Sequence, residues 1–120
     1  MFPLGGATRV YLAAGSTDLR KSFDGLYGLV RSRLESDPET GHLFVFCNAT
    51  RSRIKVLHFD GSGLWVCAKR LEKGRFRWPG GEENIHRLSI STEELSMLLG
   101  GMDPGATKRR KWWRSEPVAA

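Results

Sequence analysis

The run Lys69-Arg70-Leu71-Glu72-Lys73-Gly74-Arg75-Phe76-Arg77-Trp78-Pro79 carries five basic residues and one acidic one, and Arg75 and Arg77 alternate with Phe76 and Trp78. In an extended backbone alternate side chains point to opposite faces. The two guanidinium groups then share one face and the two rings the other. Such a segment can grip phosphate through its charges and stack a base on its rings. The same alternation also describes a strand whose rings lie in the core and whose arginines are solvated. A second run, Lys108-Arg109-Arg110-Lys111-Trp112-Trp113-Arg114, combines dense charge with adjacent indoles. It reads either as an arm that contacts phosphates and stacks an indole, or as a solubilising tail with its tryptophans docked on the body.

The charge of the whole chain favours the nucleic-acid reading. Its 120 residues, enough for one domain, carry a net charge of +6 with a pI near 9.8. Net charge speaks to partners rather than to fold, and here it points to an anionic one. The segment from Arg51 to Arg77 has eight basic residues and two acidic ones, and the segment from Lys108 to Arg114 has five basic residues and none acidic. The remainder is net acidic, so the positive field is confined to those two stretches. Cys47 and Cys67 lie in apolar runs without CxxC spacing, as expected for free thiols in a reducing compartment. The opening Met1–Gly6 is too short and uncharged for a signal peptide, and no apolar run approaches membrane-spanning length. A cytoplasmic protein with no membrane partner is expected.

Catalytic constellations are weak. Asp18, Asp24 and Asp60 could be imagined as a carboxylate set for a metal. Asp18 and Asp24, six apart, do not share a helix face. Asp18 suits a helix start and Asp60 a turn before Gly61. His42, His58 and His86 are scattered, with no i,i+4 partner, and the glycines form no phosphate-binding loop. No enzyme, metal or cofactor is expected.

The elements that would position the basic residues follow from periodicity. Residues 8–14 read as a strand. Ser16 or Thr17 can cap a helix whose stripe is Leu19, Phe23, Leu26, Val30 and Leu34, placing it over about 18–35. Gly25 and Gly28 weaken that helix and imply close backbone packing. The runs 42–47, 54–59 and 63–70, joined by short polar or glycine-containing links, predict an antiparallel meander. Arg53 and Lys55 alternate with Ile54 and Val56, so they share a face. Residues 75–78 extend the sheet until Pro79, and 87–90 form a last strand. Ser91 and Glu94 fit a capping box before a short helix carrying Leu95, Leu98 and Leu99.

The block Thr17-Asp18-Leu19-Arg20-Lys21-Ser22-Phe23-Asp24-Gly25-Leu26, then Gly41–Phe46, then Arg53-Ile54-Lys55, then Lys69–Pro79, resembles in order and spacing the TnpB accessory proteins of insertion sequence 66-class bacterial transposable elements. That family is distinct from the RNA-guided nuclease sharing the TnpB name. The resemblance covers roughly residues 8–103. It implies a small accessory protein used in transposition beside a separate transposase and a further element protein. It implies no catalytic residue. The family blocks mark Asp18, Arg20, Lys21, Phe23, Asp24 and Gly25, and Lys69, Arg70, Glu72, Gly74, Phe76, Trp78 and Pro79. The match loosens at Asn48-Ala49-Thr50-Arg51, where the family often carries more arginine.

The expectation is therefore one α+β domain over 1–103, with a flexible basic tail over 104–120. A small antiparallel sheet of about four to five strands packs one face on the long helix, and the short C-terminal helix closes an edge. DNA is held by Arg53, Lys55, Lys69, Arg70, Lys73, Arg75 and Arg77, with Lys108, Arg109, Arg110 and Lys111 of the tail adding reach. The alternative is a protein–protein adaptor for the transposase, its basic surface meeting acidic protein.

Overall fold

Three aromatic and β-branched runs with tight links set the frame. In the computed structural model, which describes residues 8–80, 86–102 and 113–115, they form β2 (Leu43–Cys47), β3 (Arg53–Phe59) and β4 (Leu64–Arg70), an antiparallel meander. The β3–β4 turn is fixed by Asp60, whose Oδ1 accepts from the Ser62 and Gly63 amides at 2.9 Å each. The β2–β3 turn is fixed by Asn48, whose Oδ1 accepts from the Ser52 and Arg53 amides at 3.0 and 3.1 Å.

β1 (Val10–Ala13) lies beside β2 in parallel, and β5 (Arg87–Ile90) pairs antiparallel with β1. A two-residue β6 (Arg114–Ser115) adds to β5. Among the described residues the sheet is thus mixed, with six strands in the order β4-β3-β2-β1-β5-β6. It is neither wholly antiparallel nor limited to five strands. The parallel pair arises because the chain leaves β1 through a helix and returns by that crossover, which hairpin signals do not reveal.

That helix, α1 (Phe23–Ser32), is shorter than its apolar stripe implies. Asp18 and Leu19 precede it. The Asp18 carboxylate accepts from the Arg20 amide and guanidinium, holding a turn where a helical cap was expected. Leu26 and Val30 of α1, with Leu34 beyond it, pack on Tyr11, Ala13, Phe44, Phe46 and Leu57. Phe23, expected in that stripe, is half exposed. Gly25 is needed: a Cβ there would sit 2.8 Å from Cβ of Lys21, whereas Gly28 has open space.

The second face of the sheet is covered too. α2 (Thr92–Leu99) begins with the expected capping box, Glu94 N donating to Ser91 Oγ and Ser91 N to Glu94 Oε1. Its Leu95 and Leu98 join Phe76 and Trp78 against Val10, Leu12, Val45, Ile54 and Leu88. α2 therefore covers a face, where an edge position was expected. Both faces of the central strands are buried, which explains the unbroken apolar reading of β1 and β2. Residues 75–78 add no strand; they cross beneath the sheet as an extended segment. Trp113 packs against this second core, and β6 follows it, so this part of the tail is docked on the body. Lys108, Arg109, Arg110 and Lys111 lie outside the described residues.

Candidate nucleic-acid interface

The crossing segment settles which face each residue of the Arg-aromatic alternation takes. Phe76 and Trp78 are buried, 1% and 4% exposed, while Arg75 and Arg77 face outward. Trp78 Nε1 donates to the Ala13 carbonyl at 3.1 Å. Phe76 N donates to the Arg51 carbonyl at 2.7 Å, and Arg51 Nη1 donates to the Trp78 carbonyl. Arg51, held at a positive φ of 60°, is thus a clamp that keeps Arg75 and Arg77 outward. Nothing in the local sequence marked it for that role. Gly74, at φ 75°, supplies the turn into the crossing.

The β-strand arginines and lysines divide by face. Arg53 stands directly opposite Arg70 across the β3–β4 ladder, and Lys55 follows Arg53 on the same side. Lys55 Nζ donates to the Lys21 carbonyl at 2.9 Å, which brings the Arg20-Lys21 turn beside them. Arg53 and Leu19 border two adjoining shallow clefts. One, of about 570 Å³, includes Arg20, Asn48 and Thr50. The other, of about 510 Å³, includes Lys55, Lys69, Arg70 and Glu72. Arg20 and Lys21 entered the sequence reading as motif positions only; the fold adds them to the basic cluster.

The charges are partly balanced. Arg70 pairs with Glu72 at 3.1 Å, both exposed, and Arg20 pairs with Asp18 at 2.7 Å. Hydrogen bonds from Arg20 hold the Asp18 carboxyl well below the usual carboxylate range. Lys69 points to the opposite face, where its Nζ donates to the Leu99 carbonyl at 2.6 Å and closes the C-terminal end of α2. It is better explained as structural. Lys73 is exposed in the loop after β4. Because Leu71 N donates to the Ser52 carbonyl and Phe76 N to that of Arg51, the 71–76 stretch runs beside the start of β3. Arg75 and Arg77 therefore stand at the same end of the sheet as Arg53 and Arg70, but on the α2 face where Phe76 and Trp78 pack, whereas Arg53, Lys55 and Arg70 share the α1 face.

Other candidate chemistry disperses. Asp60 accepts from Trp65 Nε1 at 2.8 Å as well as from its turn amides, which explains its carboxylate structurally. Among the described residues no group of three His, Cys, Asp or Glu side chains could hold a metal. A third cleft, about 740 Å³, is lined by Tyr27, Arg31, Glu35, Ser36, Asp37 and Glu39, and its three carboxylates would repel a polyanion. Among the described residues no helix is long and apolar enough to cross a membrane.

The family description "IS66 Orf2 like protein" matches residues 8–109. Two proteins of Sinorhizobium fredii (strain NBRC 101917 / NGR234) are similar along most of their length. "Uncharacterized protein y4hO" is 42% identical over 103 residues, covering 86% of this chain and 88% of its own. "Uncharacterized protein y4jC" is 36% identical over 111 residues, covering 92% and 93%. No solved structure matches significantly.

Proposed function

This chain belongs to the IS66 Orf2-like family, whose role is that of an accessory in transposition, and we propose that it serves that role by binding DNA without catalysis. The observation that carries the reading is the Arg53–Arg70 pair. Like charges directly opposite on one face of a ladder destabilise a sheet, and Lys55 adjoins them. A polyanion laid across the face offsets that repulsion, so the arrangement is favourable when bound and costly when free. Arg20 and Lys21 extend the same surface; Arg75 and Arg77 add charge at the same end of the sheet from its α2 side, and Lys73 with Lys108, Arg109, Arg110 and Lys111 adds reach. The buried rings exclude base stacking by Phe76 and Trp78, so binding is to the backbone and tolerant of sequence.

The test is fluorescence anisotropy on a labelled duplex of random sequence at rising salt. Counterion release predicts a linear fall of log affinity with log salt. If the protein ignores duplex DNA at low salt yet captures the element's transposase, the surface is a protein adaptor and the DNA reading is wrong.

A further inference from the structure

Among the described residues β4 has a neighbouring strand on one side only. Its outward bonding groups follow from the ladder. Asp60 N donates to the Gly63 carbonyl at 3.0 Å, and Leu71 N to that of Ser52 at 2.8 Å. Both pairs continue the register in which Phe59 faces Leu64 and Arg53 faces Arg70. Hydrogen-bonded pairs alternate with non-bonded ones in an antiparallel ladder. Trp65, Cys67 and Lys69 therefore direct their N–H and C=O groups to β3. Leu64, Val66, Ala68 and Arg70 direct theirs away from it.

Natural edges of this length are blunted by charge, proline or a bulge. β4 has no proline, and no charge interrupts Leu64-Trp65-Val66-Cys67-Ala68. Its one large exposed apolar side chain, Trp65, is 55% exposed. At the other edge of the sheet, β6 is two residues long.

We propose that a second copy of this chain pairs antiparallel along β4, with the two-fold axis passing through Cys67. This register uses all four outward residues within the strand: Leu64 bonds the partner's Arg70, and Val66 the partner's Ala68. Between those pairs, on the α2 side, Trp65 stands opposite the partner's Lys69, whose Nζ caps α2 and whose methylene stem is left to lie against the indole. Cys67 meets the partner's Cys67 in a non-hydrogen-bonded pair, with Cα atoms about 4.5 Å apart. That self-complementarity of sequence is what selects a second copy over an unrelated strand. The two Arg53–Arg70 faces then lie on the same side of one continuous sheet, and the pairing does not depend on what those faces bind.

The experiment is sedimentation and light scattering of the intact chain across concentration, with diamide oxidation read on a non-reducing gel. A reversible dimer is expected. Diamide should link it covalently, the link vanishing in Cys67→Ser and surviving in Cys47→Ser. Ala68→Pro deletes an outward amide without touching the β3 ladder, and should weaken self-association by about tenfold or more. Trp65→Lys, at an exposed site, should weaken it as well by setting like charges opposite one another. A wild-type chain monomeric at every concentration overturns the proposal. So does a dimer that diamide fails to link through Cys67, or one that Trp65→Lys leaves unchanged.

Discussion

Trp78 shows how one side chain decides between two chemistries. Its ring is 4% exposed and its indole N–H is satisfied by Ala13, so it is a core residue that aims its arginine neighbours outward. Trp78→Ala should lower stability by about 3–5 kcal/mol. A variant that melts like the parent but loses DNA affinity would make the ring a stacking residue instead. His42 gives a pH signature. Its Nδ1 accepts from the Arg9 amide at 3.0 Å, and burial, then Arg9 and Arg87, lower its pKa below the ordinary value. The unfolded chain takes up a proton near about 6.5 that the folded chain refuses. Stability should therefore be full above that pH and fall as pH drops through it toward the lowered folded value. His42→Gln should flatten the dependence of the urea midpoint on pH over that range; equal slopes in both proteins would contradict the assignment. Cys47 is fully buried, and burial pushes its thiol up to about 11. In the folded chain a maleimide should label Cys67 first and Cys47 only on unfolding. Early labelling of Cys47, read by peptide mapping, would show that the core opens.

At the scale of elements, much was legible because local signals agreed. The meander, the Ser91–Glu94 capping box and the outward set of Arg75 and Arg77 all followed from period and spacing. The errors came where tertiary packing overrode pattern. Asp18 forms its own turn with Arg20, so α1 starts at Phe23, and a periodic stripe that includes Leu19 overstates its length. The parallel β1–β2 pair and the second buried face depend on crossovers that no short window encodes. Within the candidate site, the shared face of Arg53 and Lys55 was legible from alternation. Their opposition to Arg70 and contact with the Lys21 backbone were not, because register across strands is a long-range property. That register yields a prediction in which stability and function move oppositely. Arg70→Gln should leave the free protein as stable or raise its stability by up to about 1 kcal/mol, by removing the like-charge pair. It should also weaken DNA binding. A loss of stability with binding intact would mean that Arg70 serves the fold through Glu72.

For the whole molecule, the basic cluster lies around the start of α1 and the loops beside it, while Glu35, Asp37 and Glu39 follow the helix's other end. The proposed DNA contact of Arg53, Lys55 and Arg70 therefore falls on the α1 face at the start of that helix, away from those carboxylates. The tail belongs partly to this body. Truncation after Met102 removes β6, the Trp113 packing and the Arg114–Glu94 pair at 2.7 Å, so the melting temperature should fall; an unchanged melt would show that the docked segment adds nothing. The most direct test of the central claim is the salt dependence of duplex affinity for the wild type and for Arg53→Gln with Arg70→Gln. The account predicts a folded double variant whose log–log salt slope is shallower by about 1.8, two phosphate contacts at about 0.9 each. An unchanged slope and affinity in that variant would contradict it.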